Sequence, residues 1–251
     1  MSFEGRGARS NIAAVVTAML ATTASLAQSD NPPLPPPRPD RPAIIEPGQR
    51  GSPSPEPTRP ELNAAAAGVD GGAEEDPLCR ERLVRLGVRF DERPPVRDGA
   101  CSVQDPVLVS GLPDGVQVRP PALMTCPLAE ALARWSLDVV SAEADRQLNT
   151  AATGISIGTS YECRNQRSGS RMSEHAFGNG VDIMAFEFAK RPPIAIGFQP
   201  DGSPEAAFQS AVQKGACAAF TTVLGPGSDA AHGDHLHLDM RGRRGGYRIC
   251  Q

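Results

Sequence analysis

Proline divides this chain before any other feature does. Twelve of its 25 prolines fall between Pro32 and Pro60, in runs such as Pro32-Pro-Leu-Pro-Pro-Pro37 and Ser52-Pro-Ser-Pro-Glu-Pro57. Each proline fixes φ and removes the backbone N–H that a helix or a sheet ladder needs. The stretch therefore cannot build a core and is expected to run extended and solvated, partly as polyproline II. All six cysteines (Cys79, Cys101, Cys126, Cys163, Cys217 and Cys250) lie beyond residue 76. Residues 28–76 are read as a disordered linker, and residues 77–251 as one ordered domain.

The first 27 residues carry the pattern of an export signal. Arg6 and Arg9 precede an apolar run from Ile12 to Ala21, and Ser25-Leu26-Ala27 offers small residues for cleavage. The run is about half the ~20 apolar residues of a membrane span. No later segment approaches that length, so the mature protein is expected to be exported, without a transmembrane span. Six cysteines, an even number, then predict three disulfides on the oxidising side of a membrane. None forms a CxxC, which argues against a cysteine zinc knot or a thioredoxin-like site. Spacing alone does not choose among the 15 pairings that six cysteines allow. In this setting the linker reads as a stiff tether through a crowded layer, or as a featureless connection. The net charge of −4 leaves no basic footprint for nucleic acid.

Within the ordered part, short strand candidates alternate with helices. A short helix is expected from Leu78 to Leu86, and strands at Val88-Arg-Phe90, Val107-Leu-Val109 and Val116-Gln-Val118. The longest helix is expected from Pro127 to Leu148: proline suits a first turn, and Leu128, Leu132, Trp135, Val139 and Ala142 recur at helical spacing. Trp135, the only tryptophan, is taken as core. Further strands are expected at Gly154 to Tyr161, Val181 to Phe188, Ile194 to Ile196 and Leu236 to Met240. Ser203-Pro204-Glu205 should open a helix reaching about Phe220. Interleaved short strands and two substantial helices indicate an α+β fold.

The chemistry concentrates in two segments. All four histidines fall in Ser173-Glu-His-Ala-Phe-Gly-Asn-Gly-Val-Asp182 and His232-Gly-Asp-His-Leu-His237. His175, Asp182 and His237 are read as three ligands of a catalytic zinc ion, with a fourth position left for water. Asn179-Gly180 is a turn signal that would fold the chain back between the first two ligands. His235 and His237, two apart on a strand, share a face. A hydrolase also needs a general base, and either His235 or Asp234 could serve. His232 lines the cleft or fixes a neighbour's tautomer, and Arg164 is a candidate to hold a substrate carboxylate or an oxyanion.

Ser173-x-His175-x-x-Gly178-x-Gly180-x-Asp182 with His235-x-His237 resembles the motif pair of zinc peptidases related to D-Ala-D-Ala carboxypeptidases, murein endopeptidases and the hedgehog signalling domain. The stretch from about Cys79 to Cys250 resembles the bacterial extensin-like C-terminal domain family. Thr125-Cys126-Pro127, Trp135, Ser160-Tyr-Glu-Cys-Arg164, Ser173-Glu-His175, Val223-Leu-Gly-Pro-Gly227 and His235-Leu-His-Leu-Asp239 carry that likeness. It implies a hedgehog/D-Ala-D-Ala-peptidase-like fold, a small antiparallel sheet with flanking helices stabilised by disulfides. It also implies zinc on His175, Asp182 and His237, with Ser173 supporting the first ligand. Arg164, with Tyr161 and His232, would face a peptidoglycan peptide substrate. The implied cysteine pairs are 79–101, 126–163 and 217–250. The motif usually has alanine at Gly180, and the carboxypeptidase branch has glutamate at Asp234. Two functions follow as expectations: a peptidase cutting stem-peptide or cross-link amides in a bacterial periplasm or envelope, or a wall-binding module whose zinc is structural.

Overall fold

Leu128, Leu132 and Trp135, on one face of the longest expected helix, anchor the domain in the computed structural model, which describes residues 76–251 except Ser168. The expected leader, and the linker up to its last residue, lie outside the described residues. In chain order the elements are α1 (Cys79–Leu86), β1 (Arg89–Glu92), β2 (Val96–Asp98), β3 (Cys101–Val103), β4 (Pro106–Gly111), β5 (Gln117–Thr125) and α2 (Cys126–Trp135). After them come α3 (Ala142–Leu148), β6 (Ala152–Ile157), β7 (Gly180–Phe188), β8 (Ile194–Ala195), α4 (Pro204–Ala216), β9 (Thr222–Leu224), β10 (Leu236–Asp239) and β11 (Ile249–Cys250).

The long helix runs from Cys126 to Leu148, as its periodicity predicts, but through a π-helical turn at Ser136–Ser141 that joins α2 to α3. Proline in the first turn of α2 gives up an N–H that has no intrahelical partner there. Ser203 caps α4 by accepting from the Ala206 N–H, as expected, although α4 ends at Ala216, short of Phe220. Trp135 is core: its indole N–H donates to the Val212 carbonyl at 3.1 Å, and its ring meets Phe186 and Phe220 at 5.9 and 6.0 Å. One side chain thus ties α2 to β7, to the C-terminal half of α4 and to the chain just beyond it.

The fold is α+β, but the sheet is neither small nor purely antiparallel. Nine strands join in the order β1-β4-β5-β6-β7-β10-β9-β11, with β8 also on β7, and both β5–β6 and β9–β11 run parallel. The strand expected at Val116-Gln-Val118 is bounded by Pro120-Pro121. In the structure these prolines sit where β5 leaves β6 at Arg119 and rejoins β4 at Ala122, so neither ladder needs their missing N–H. The hairpin of β2 and β3 and the two-residue β11 were not expected; strands this short carry too little alternation to read.

Three disulfides are present, and two of the three pairings differ from those implied by resemblance. Cys79 pairs with Cys126, Cys101 with Cys163, and Cys217 with Cys250 as expected. Packing decides the exchange: α1 lies on the start of α2, bringing the Cα atoms of Cys79 and Cys126 to 6.1 Å. That leaves Cys101, on the β2–β3 hairpin, 5.6 Å from Cys163. Closing loops of 47, 62 and 33 residues removes about 4 kcal/mol of unfolded-state entropy each in a chain-entropy account.

Helix α4 lies so close to the π-helical turn that a Cβ on Gly215 would sit 2.5 Å from Val139 Cγ1. Valine is stiff at χ1 and cannot swing aside cheaply. Gly215→Ala is therefore expected to cost roughly 1–3 kcal/mol, read from denaturant midpoints. In a Val139→Ala background the same substitution should cost close to nothing. An unchanged penalty there would refute the contact as its cause.

Candidate metal centre

His175 arrives on a single 3-10 turn, Glu174–Phe177. Ser173 caps that turn, its hydroxyl accepting from the His175 N–H at 3.4 Å and its carbonyl from the Ala176 N–H. The reversal expected at Asn179-Gly180 comes earlier, at Gly178, whose φ of 62° is the left-handed conformation that glycine takes without cost. Gly180 instead opens β7, where a Cβ would lie 3.4 Å from His237 Cε1 and from the His175 nitrogen. An alanine there would touch both histidines, so Gly180 bears on packing alone.

Asp182 is the third residue of β7, and β7 pairs antiparallel with β10. The register sets His237 directly opposite Asp182, so the two side chains rise from the same face of the sheet. His175, Asp182 and His237 come together as one cluster, each offering one ligand atom. His175 Nε2 lies 3.2 Å from His237 Nδ1 and 3.2 Å from Asp182 Oδ1, and His237 Nδ1 lies 2.9 Å from Asp182 Oδ1. Ligand bonds of about 2.0–2.1 Å at tetrahedral angles separate donor atoms by roughly 3.3 Å. The triangle has that size.

The outward-facing ring nitrogens are both committed elsewhere. His175 Nδ1 donates to the Ser160 carbonyl at 2.7 Å, and His237 Nε2 donates to Asp239 Oδ2 at 3.2 Å. In those tautomers the two inner nitrogens present lone pairs, beside a carboxylate oxygen. Three acceptors so close repel one another unless a shared proton or a metal cation stands between them. This donor set fits a small divalent metal ion, and Ser160 and Asp239 are the outer partners that orient such ligands. Sequence reading gave neither a role. For Asp239 the signal was present: a carboxylate two residues past a ligand on one strand shares its face.

The local charges favour a cation at the same point. Burial by itself would lower the His237 imidazole, but hydrogen bonds and charge from Asp182 and Asp239 override it and push it up to about 9. Burial would raise the Asp182 carboxyl, but hydrogen bonds from His175 and His237 hold it far below the usual carboxylate range. Asp239 is likewise held low, His237 and the Arg241 N–H outweighing its burial. A metal ion would replace a proton already attracted there.

His235 stands just before β10, buried, with Nε2 3.9 Å from Asp182 Oδ1. Its Nδ1 faces Asp234 Oδ1 at 2.9 Å. The Asp234 side chain is 81% exposed, so it lies outside the cluster and touches it only by way of His235. His232 packs beside both, its ring 5.2 Å from His235 and 6.0 Å from His237, and its Nδ1 is 2.7 Å from Asp229 Oδ1. Ser160 and Glu162 clamp His175 from outside, since the Glu162 N–H also donates to the His175 carbonyl. Between them, the Tyr161 hydroxyl is buried and finds no partner among the described residues. Arg164 is close in chain, its carbonyl accepting from the Ser173 N–H, but its guanidinium pairs with Glu162 at 2.6 Å. Among the described residues no hydrogen bond or ion pair joins that guanidinium to the three-donor cluster.

The family model described as "Extensin-like protein C-terminus" matches residues 77–251. No curated protein and no solved structure matches the chain.

Asp239→Asn keeps the shape of the strand and removes the charge that steadies His237. It is expected to weaken uptake of a divalent cation such as zinc by about 10–100-fold, measured by competition with a chromophoric chelator. An unchanged affinity would remove Asp239 from the site.

Proposed function

The chain belongs to the extensin-like protein C-terminus family, and from that premise we propose that it is an exported, zinc-dependent peptidase. Its substrates are stem-peptide or cross-link amide bonds of peptidoglycan, in the periplasm or envelope of a bacterium. The proline-rich segment tethers the domain to its place of work. The observation that carries this reading is the triangle of His175 Nε2, Asp182 Oδ1 and His237 Nδ1, three inward-facing acceptors with their outer nitrogens already occupied. A His-Asp-His set on a turn and two paired strands also supports placing the domain in the hedgehog/D-Ala-D-Ala-peptidase-like fold.

Zinc bound there would polarise an amide carbonyl and bring the pKa of a coordinated water down to about 7. His235 is the general base. With its Nδ1–H given to Asp234, the Nε2 lone pair faces the metal cluster and takes the proton from the attacking water. Asp234 fixes that tautomer, which explains how an aspartate too exposed and too short to reach the water still serves the reaction. The His232–Asp229 pair lines the same side of the site. Arg164 meets a substrate carboxylate only by loosening its pair with Glu162, so its guanidinium is a device for holding substrate rather than for the chemical step.

The deciding experiment is mass spectrometry of purified peptidoglycan fragments incubated with the full chain, a His237→Ala variant and a chelated sample. New stem-peptide or cross-link products that vanish in both controls are the expected outcome. Zinc held at one equivalent with no products under varied conditions would overturn the peptidase reading in favour of a non-catalytic wall-binding module.

His235→Gln is expected to lower kcat by about 10²–10⁴-fold while leaving zinc affinity nearly unchanged. Asp234→Asn should give a smaller loss in the same direction. A larger loss from Asp234→Asn than from His235→Gln would reverse the two roles.

A further inference from the structure

The chain's net charge is −4, yet one cleft collects four arginines and no carboxylate. Arg171, Arg241, Arg243, Arg244, Tyr247 and Ile249 line a cleft of about 530 Å³. That volume lies within the range of about 300–1,000 Å³ typical of small-ligand sites. None of His175, Asp182 and His237 lines it. One wall, Arg171, comes from the loop four residues before His175; the other comes from the chain leaving β10 after His237.

The shape of the second wall is built in. Gly245 and Gly246 have φ of +76° and +66°, conformations that side chains resist, and the Gly246 N–H closes the turn on the Arg243 carbonyl. This turn carries Arg244 and Tyr247 into the cleft together. Arg243 is fixed by donating to the Thr221 carbonyl and the Thr222 hydroxyl, with its guanidinium 5.6 Å from the centre of the Tyr247 ring. Arg241 is anchored through its N–H to Asp239 and leans 3.8 Å from Glu174.

Arg248, from the same tail, shows what a structural arginine does here: one guanidinium nitrogen donates to the carbonyls of Cys217, Ala218 and Phe220, closing the end of α4. The side chains of Arg171 and Arg244 make no hydrogen bond or ion pair among the described residues. Gathering like charges costs free energy that folding does not recover, and planar guanidinium forks match oxyanions in two-point contacts. We propose that this cleft binds a ligand carrying at least two oxyanion groups, phosphate or carboxylate. Arg171 and Arg244 grip the oxyanions, Arg241 and Arg243 supply fixed positive charge, and the Tyr247 face receives the ligand's ring or apolar portion. The inference stands apart from the peptidase reading and survives or fails without it.

The test is isothermal titration of the full chain, stripped of metal so that chelation plays no part, with sodium pyrophosphate and separately with tricarballylate. Saturable one-site binding of at least one is expected, weakening as salt rises. The better binder names phosphate or carboxylate as the natural group. Arg171→Glu with Arg244→Glu should weaken that binding at least about tenfold, since each substitution removes a charge-assisted two-point contact and sets a like charge against the anion. Circular dichroism checks that the variant folds, and Arg171→Gln with Arg244→Gln replaces it if it does not. Failure of both anions to saturate, or equal affinity in the variant and the natural chain, would overturn the proposal.

Discussion

The pairing of Asp182 with His237 across β7 and β10 is the constraint on which the rest of the centre depends. An antiparallel register places the two side chains opposite one another on one face, and a slip of a single residue would send one of them through the sheet. The register is held by the core beneath: Val181, Ile183, Leu236 and Leu238 alternate with the polar pair and are fully buried. The hydrophobic alternation that packs the sheet is thus the same alternation that aims the donors.

The first donor is held differently. His175 lies on one 3-10 turn, which has little stability of its own, and its position is enforced from outside. Ser173 caps the turn, Gly178 ends it, and Ser160 and Glu162 grip the ring and the carbonyl of His175. The gripping segment is itself braced by the Cys101–Cys163 disulfide to the β2–β3 hairpin. That link places a covalent restraint three residues from Ser160. A centre built from two paired strands and one strapped turn can be rigid where its ligand atoms meet, while the loops around it remain free to vary.

The same side of the molecule shows how polar groups divide their work. Asp239 and Asp234 both hold a histidine, yet one is buried and the other 81% exposed. Asp239 holds the His237 ring from within the buried face. Asp234 orients a ring whose far nitrogen faces the cluster. The arginines nearby divide likewise, Arg248 closing the end of a helix and the side chains of Arg171, before His175, and Arg244, beyond β10, standing without hydrogen-bond or ion-pair partners among the described residues.

Much of this domain was legible in the sequence because its signals are local. The long helix, the cap at Ser203, the alternation of β7 and the gathering of every histidine into two segments all follow from residue type and spacing. The three ligand candidates could be named for that reason. What needed the tertiary structure is what neighbours decide: Cys79 joins Cys126 because α1 packs on α2, and two parallel strand pairs enter the sheet through crossovers that no local pattern encodes. Ser160 contributes only a carbonyl, which every residue has, so its part was invisible in sequence. The donor atoms that could hold a metal ion were written in side chains; the direction each ring nitrogen faces was set by hydrogen bonds that exist only once distant segments meet.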